Sequence, residues 1–231
     1  MTTDPAMGTD PAMTTDPAMG TDPATSTAGR IDFTLMYVTH DAFRRDLSRL
    51  YRAAAEGRTD SIGVRDGWTN FKHQLHVHHT AEDEVLWPRV EATVADRPDA
   101  AEILDAMAAE HARLDPLLDA VDAALERRAE PAELTVVVAQ LENALNGHMR
   151  HEEEAALPLI QEVLTPKDWA AFGRTIARKQ KLSGAAAYVP WAVDGAGAEQ
   201  RAAFFTAMPA PVKVLNRLFW SSRYHKRHPW V

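Results

Sequence analysis

The sequence predicts an all-α protein: an antiparallel up-down-up-down four-helix bundle with a C-terminal helical extension. Three observations carry this. The stretch from residue 30 to 165 is poor in glycine and rich in Ala, Leu and Glu. Its apolar residues recur in alternating steps of three and four, the narrow stripe of helices packed side by side. The connections between stripes are short, which favours antiparallel neighbours.

The first helix is expected over 31–55, with Phe33, Met36, His40, Phe43, Leu47 and Leu50 on its seam. The second is expected over 62–94, where Trp68, Phe71, Leu75, His78, Glu82 and Val85 form the seam. The third starts near Asp96 as N-cap, with Pro98 in its first turn, and carries Leu104, Met107, His111, Leu114, Leu118, Val121 and Leu125. The fourth opens at Pro131, with Leu134, Val138, Leu141, Leu145, His148, Glu152, Ala155 and Leu159 on its seam. Pro88 and Pro158 either kink their helices or end them. Thr165-Pro166-Lys167-Asp168 has capping-box spacing, with Asp in place of Glu, and opens a fifth helix over 166–182. A loop containing Pro190, Gly195 and Gly197 follows. A last helix over 211–224 puts Val212, Leu215, Leu218 and Phe219 on one face, with Lys213 and Arg217 on another.

Charge and composition divide the chain into three parts. Residues 1–29 hold an exact repeat, MTTDPAMGTDPA at 1–12 and again at 13–24, with four Asp and no basic residue. So little apolar surface cannot offset ordering entropy, and a disordered tail is expected. The bundle is assigned to 30–164 and the extension to 165–231. Residues 30–165 carry 14 basic and 26 acidic residues, a balance of −12, against 11 and 3, a balance of +8, over 166–231. The basic extension is expected to dock on the acidic bundle. A peripheral contact of its last helix with an anionic membrane is the other reading. A net charge of −8 argues against nucleic acid as a partner. With no cysteine, disulfides, thiolate zinc sites and iron–sulfur clusters are excluded. The sequence shows neither an apolar run of about 18 residues nor a secretory signal, so a soluble cytoplasmic protein is expected. It also lacks a Gly-rich nucleotide loop and a nucleophile elbow.

The seams contain polar residues where a plain core would be apolar. His40, His78, Glu82, His111, His148 and Glu152 all fall on them. Burying so many polar groups without partners costs several kcal/mol each on transfer scales. A metal centre would compensate. His-x-x-x-Glu puts imidazole and carboxylate one turn apart on one face, and it occurs at His78–Glu82 and again at His148–Glu152. The halves of the chain match at a shift of about 70 residues, LHVHHTAEDEVLWP at 75–88 on LNGHMRHEEEAALP at 145–158. One His and one His-x-x-x-Glu per half describe a pseudo-two-fold site for two metals. Imidazole with carboxylate suits iron or manganese, and zinc less specifically. His79 and Asp83 sit one step off the seam, as rim residues able to orient a ligand imidazole. His151 flanks the seam, His73 and His76 face solvent, and Glu153 and Glu154 are ordinary surface charge.

The motifs HxxxED…LWP and HMxHEEE…LP resemble those of the hemerythrin-like, HHE cation-binding family, over roughly residues 31–162. The resemblance implies two iron ions, oxo- or hydroxo-bridged. It makes His40, His78, His111 and His148 terminal ligands, and Glu82 and Glu152 bridging carboxylates. The sequence departs from the oxygen-carrying hemerythrins in having Asp115 where they have a second third-helix histidine. It also has Glu four residues after the last histidine, where they have Asp five after. The implied function is a non-haem diiron protein that binds or senses a small oxidant or gas (dioxygen, nitric oxide or peroxide) or iron status. The alternatives are a diiron enzyme acting on peroxide or ferrous iron, and a bundle held by a structural metal.

Overall fold

The computed structural model describes residues 29–227 and 229–231. The repeat at 1–28, read above as disordered, lies outside the described residues. Among the described residues the regular elements are all helical, with no strand. They run α1 (Thr34–Ala55), α2 (Ile62–Ala81), α3 (Trp87–Glu91), α4 (Pro98–Glu126), α5 (Pro131–His151), α6 (Leu157–Val163), α7 (Pro166–Ala192), α8 (Ala198–Ala207), α9 (Ala210–Leu215) and α10 (Ser221–His225). Wider π-helical turns join α2 to α3 at Glu82–Leu86, α5 to α6 at Glu152–Ala156 and α9 to α10 at Asn216–Trp220. α1 packs on α2 and α5, and α4 packs on α5; α7 lies against α2 and α1, and α8 against α1.

The ends of the helices follow from local chemistry. Ser61 caps α2 by accepting from the Val64 N–H at 3.2 Å. Thr165 and Asp168 form the expected capping box on α7. The N-cap of α4 is Arg97 rather than Asp96. The reason is Pro98, whose ring pushes the preceding residue into extended backbone, here φ −114° and ψ 100°.

Neither Pro88 nor Pro158 ends its helix. The Trp87 N–H bonds back to the Glu82 carbonyl and the Leu157 N–H to that of Glu152, five residues away instead of four. Each proline lacks an N–H and would crowd the carbonyl four residues earlier, and the wider turn relieves that crowding. The extra residue shifts the register. Leu86 and Ala156 are fully buried, where the three-four count put Val85 and Ala155.

The C-terminal extension departs further from expectation. α7 continues past residue 182, through Pro190, to Ala192, with a break at Lys181, whose φ is 56°. The fully buried Trp191 anchors that continuation. Its Nε1 donates to Asp46 Oδ2 at 2.7 Å, while Arg45 donates to the Trp191 and Asp194 carbonyls at 2.9 and 2.6 Å. Near the end of the chain, the Trp230 N–H donates to the Gly63 carbonyl at 2.7 Å, and its ring lies over Gly67. A Cβ at residue 67 would come within 2.5 Å of that ring, so the contact requires glycine. The apolar face foreseen over 212–219 is split by the third π-helical turn. Val212 packs on the core, but Leu218 and Phe219 are exposed. Val212, Asn216, Trp220 and Tyr224, four apart, form the inward side instead.

Candidate metal centre

Each of α1, α2, α4 and α5 contributes one seam histidine to a polar belt between two apolar clusters. On α1 His40 lies between Met36 of one cluster and Phe43 of the other, and on α2 His78 lies between Leu75 and Ala81. His111 on α4 lies between Met107 and Leu114, and His148 on α5 follows Leu145 and precedes Ala156. All four histidines are buried, and Glu82 and Glu152 have no exposure at all.

The structure brings all six sequence-predicted residues together, in two adjacent groups. One is His40, His78 and Glu152; the other is Glu82, His111 and His148, joined by His79. Within each group one donor atom per residue lies within 4.8 Å of the others. His40 Nε2 is 3.3 Å from His78 Nε2, and His111 Nε2 is 3.2 Å from His148 Nε2. Glu82 reaches both groups, with Oε1 at 3.1 Å from His78 Nε2 and Oε2 at 3.6 Å from His111 Nε2. Glu152 Oε2 is 3.1 Å from His40 Nε2.

The outer nitrogens settle which atoms face inward. His40 Nδ1 donates to Glu153 at 2.7 Å, His111 Nδ1 to Asp83 at 2.8 Å and His148 Nδ1 to Glu110 at 3.0 Å. A carboxylate only accepts, so these nitrogens carry protons. For His111 and His148, that turns two Nε2 lone pairs toward each other. Both oxygens of Glu82 and Glu152, and Nε2 of His79, are buried without a hydrogen-bond partner. Lone pairs converging on unpartnered carboxylates are stable only around positive charge, and the donor set fits a metal.

Electrostatics point the same way. Burial lowers His40, but the carboxylates of Glu152 and then Glu153 outweigh it and raise its pKa to about 9. Burial and the neighbouring His40 charge push His78 down to about 3. Burial, reinforced by the charge of Glu152, drives Glu82 well above the usual carboxylate range. Glu152 is held at about 2, the His40 charge overriding burial. Protons on His40 and Glu82 thus stand in for the charge a cation would bring.

Sequence reasoning misplaced several partners. His79, expected at the rim, is half-buried and joins the second group, its ring stacked on His111 at 4.0 Å. Its three-residue spacing to Glu82 was the available signal. Asp83 does orient a histidine, as expected. Glu153, expected to be plain surface charge, holds His40 and is itself held by Arg44 at 2.9 Å. Glu110, not singled out, bonds both His148 and His151, the latter at 2.9 Å. His73, His76 and Glu154 are exposed, as expected, and so is Asp115 on α4.

The outer carboxylates obey the internal repeat. Asp83 and Glu153 each follow an inward glutamate in a π-helical turn, and each holds the histidine of the opposite half. The halves are therefore locked to each other reciprocally.

Among the described residues no helix is long and apolar enough to cross a membrane. No curated protein and no solved structure matches the chain. The family model of the hemerythrin HHE cation binding domain matches residues 32–160, which include every member of both groups. With the match extending over more than half of its length, the chain belongs to the hemerythrin HHE cation-binding domain family.

Proposed function

We propose that this chain is a non-haem diiron protein that binds or senses a small oxidant or gas (dioxygen, nitric oxide or peroxide) or iron status. His79, Glu82, His111 and His148 would hold one iron, and His40, His78 and Glu152 the other. Glu82, with one oxygen toward each group, is placed to bridge. When bound, an iron pair supplies redox and Lewis-acid chemistry toward such molecules. The protein's part is to fix the imidazoles through Glu153, Asp83 and Glu110 and to exclude water between two apolar clusters.

The order of the clusters supports an up-down-up-down bundle around the centre. α1 and α4 pass through the belt in one sense, and α2 and α5 in the other. The observation that carries the functional reading is the small donor set. With Glu82 counted in both groups, each position has four protein donors of imidazole and carboxylate, and an iron held by so few keeps open positions for an outside ligand.

The test is metal analysis of the purified chain with optical spectra under nitrogen, air, nitric oxide and peroxide. Two irons per chain and a spectrum that changes on gas or oxidant addition are the expected result. Zinc alone, or iron indifferent to all three additions, would overturn the reading. Rapid peroxide consumption without a stable adduct would make the chain a diiron oxidoreductase instead.

A further inference from the structure

The repeat breaks at a further point beside the centre, besides His79, whose counterpart is Met149. His148 is held by Glu110, one residue before His111 on α4. The corresponding residue on α1, one before His40, is Thr39. Its hydroxyl donates to the Leu35 carbonyl at 2.7 Å and therefore accepts from the Tyr188 hydroxyl, also at 2.7 Å. Burial raises the Tyr188 pKa to about 12, so that hydroxyl stays neutral. Among the described residues no carboxylate holds the outer nitrogen of His78.

A cavity of about 230 Å³ lies where the carboxylate would be. His78 and Thr39 line its inner part, and the C-terminal extension closes it with side chains such as Phe172, Ile176 and Tyr188. Gly173 and Ala177, both exposed on α7, line its outer part. No Asp, Glu, Lys or Arg lines it. Two glutamines break the apolar wall. Gln180 Nε2 donates to Gln74 Oε1 at 3.1 Å, which leaves Gln180 Oε1 buried without a donor. That oxygen lies against Gly184, so a ligand hydroxyl would instead meet His78, whose outer nitrogen no carboxylate holds.

We propose that this cavity is a binding site for an uncharged, mainly apolar organic molecule carrying one hydroxyl, held against His78. At about 30 Å³ per water-sized unit it takes roughly eight non-hydrogen atoms. An ionised ligand finds no counter-charge there and would have to be desolvated. The proposal deepens the diiron reading, on which its meaning rests, by giving the centre an organic ligand beside His78. Binding itself depends only on the cavity.

The experiment is titration calorimetry of the full chain, metal-free and iron-loaded, with 1-alkanols from butanol to dodecanol. One site per chain is expected, tightening about fourfold per methylene and levelling near seven carbons as the cavity fills. Octanoate should bind more weakly than 1-octanol by about tenfold or more. Ala177→Phe, at the exposed outer part, should abolish binding with melting temperature and metal content unchanged. No binding, affinity that rises without levelling, or full affinity in Ala177→Phe would overturn the proposal. A chain that takes no iron but binds octanol in this way would sink the diiron reading and leave the site standing. An iron-loaded, oxidant-reactive chain with no alkanol site would do the reverse.

Discussion

In the half of the centre built on α4 and α5, His148 is held from outside by Glu110, which also holds His151. In the half built on α1 and α2, the corresponding histidine, His78, borders Thr39 and an apolar cavity instead. Both halves place an inward glutamate at the start of a π-helical turn, with a second carboxylate beside it holding the opposite half's histidine. The His and His-x-x-x-Glu donors and one outer carboxylate per half are duplicated, whereas His79, whose counterpart is Met149, and the support by Glu110 are not. The shared donors are constrained by the cation they must surround, so both copies keep them. The surroundings of a ligand answer to whatever lies beyond, and here that is the C-terminal extension on one side and α4 on the other.

The largest effect should come from the shared part. Glu82→Ala and Glu152→Ala should each lower metal content to about half or less, because each removes two inward oxygens from a centre with no substitute donor. Metal analysis checks this, and retention of full metal by either variant would mean that the halves do not share one centre. Next comes the contrast itself. Glu110→Ala should weaken metal affinity by about 10–100-fold, as loss of an outer partner to a ligand histidine does. Thr39→Val should leave metal affinity unchanged. Competition with a chelator measures both, and equal losses would erase the distinction drawn between the halves.

A smaller difference separates the two equivalent outer carboxylates. Glu153 is 19% exposed on its side chain and Asp83 is 48% exposed, so solvent screens the second more. Glu153→Gln should weaken metal affinity more than Asp83→Asn, by up to about tenfold. The smallest effect is on protons. His40, raised to about 9, holds a proton at neutral pH in the metal-free chain, and burial shifts Glu82 toward its protonated form. A cation must expel these protons, so affinity should rise with pH toward about 9 and fall as pH is lowered. Calorimetry of metal binding at pH 7, in buffers of differing ionisation enthalpy, should show net proton release. No release would mean that the site binds with His40 and Glu82 already deprotonated.

Much of this centre was legible in the sequence, for a physical reason. A histidine or glutamate on an apolar stripe is costly unless compensated, so six such residues on four stripes, at matched spacing, announce a common partner. His79 was not legible by that logic, because the stripe counts one face and His79 enters from beside it to stack on His111. Glu110 and Glu153 were missed because their role depends on which face of a neighbouring helix meets them. The exposure of Leu218 and Phe219 was missed because both lie inside the π-helical turn Asn216–Trp220, whose wider winding carries them off the face that the three-four count assigned.

The sequence by itself determined the helices, the inward glutamates and the four seam histidines, because periodicity and local capping act within one segment. Only the tertiary structure decided which nitrogen of each histidine turns inward, since that depends on carboxylates arriving from other helices. It also decided that α7 would lie over Thr39 and His78 and enclose a cavity there. Such choices rest on packing between segments distant in the chain, and no local spacing encodes them.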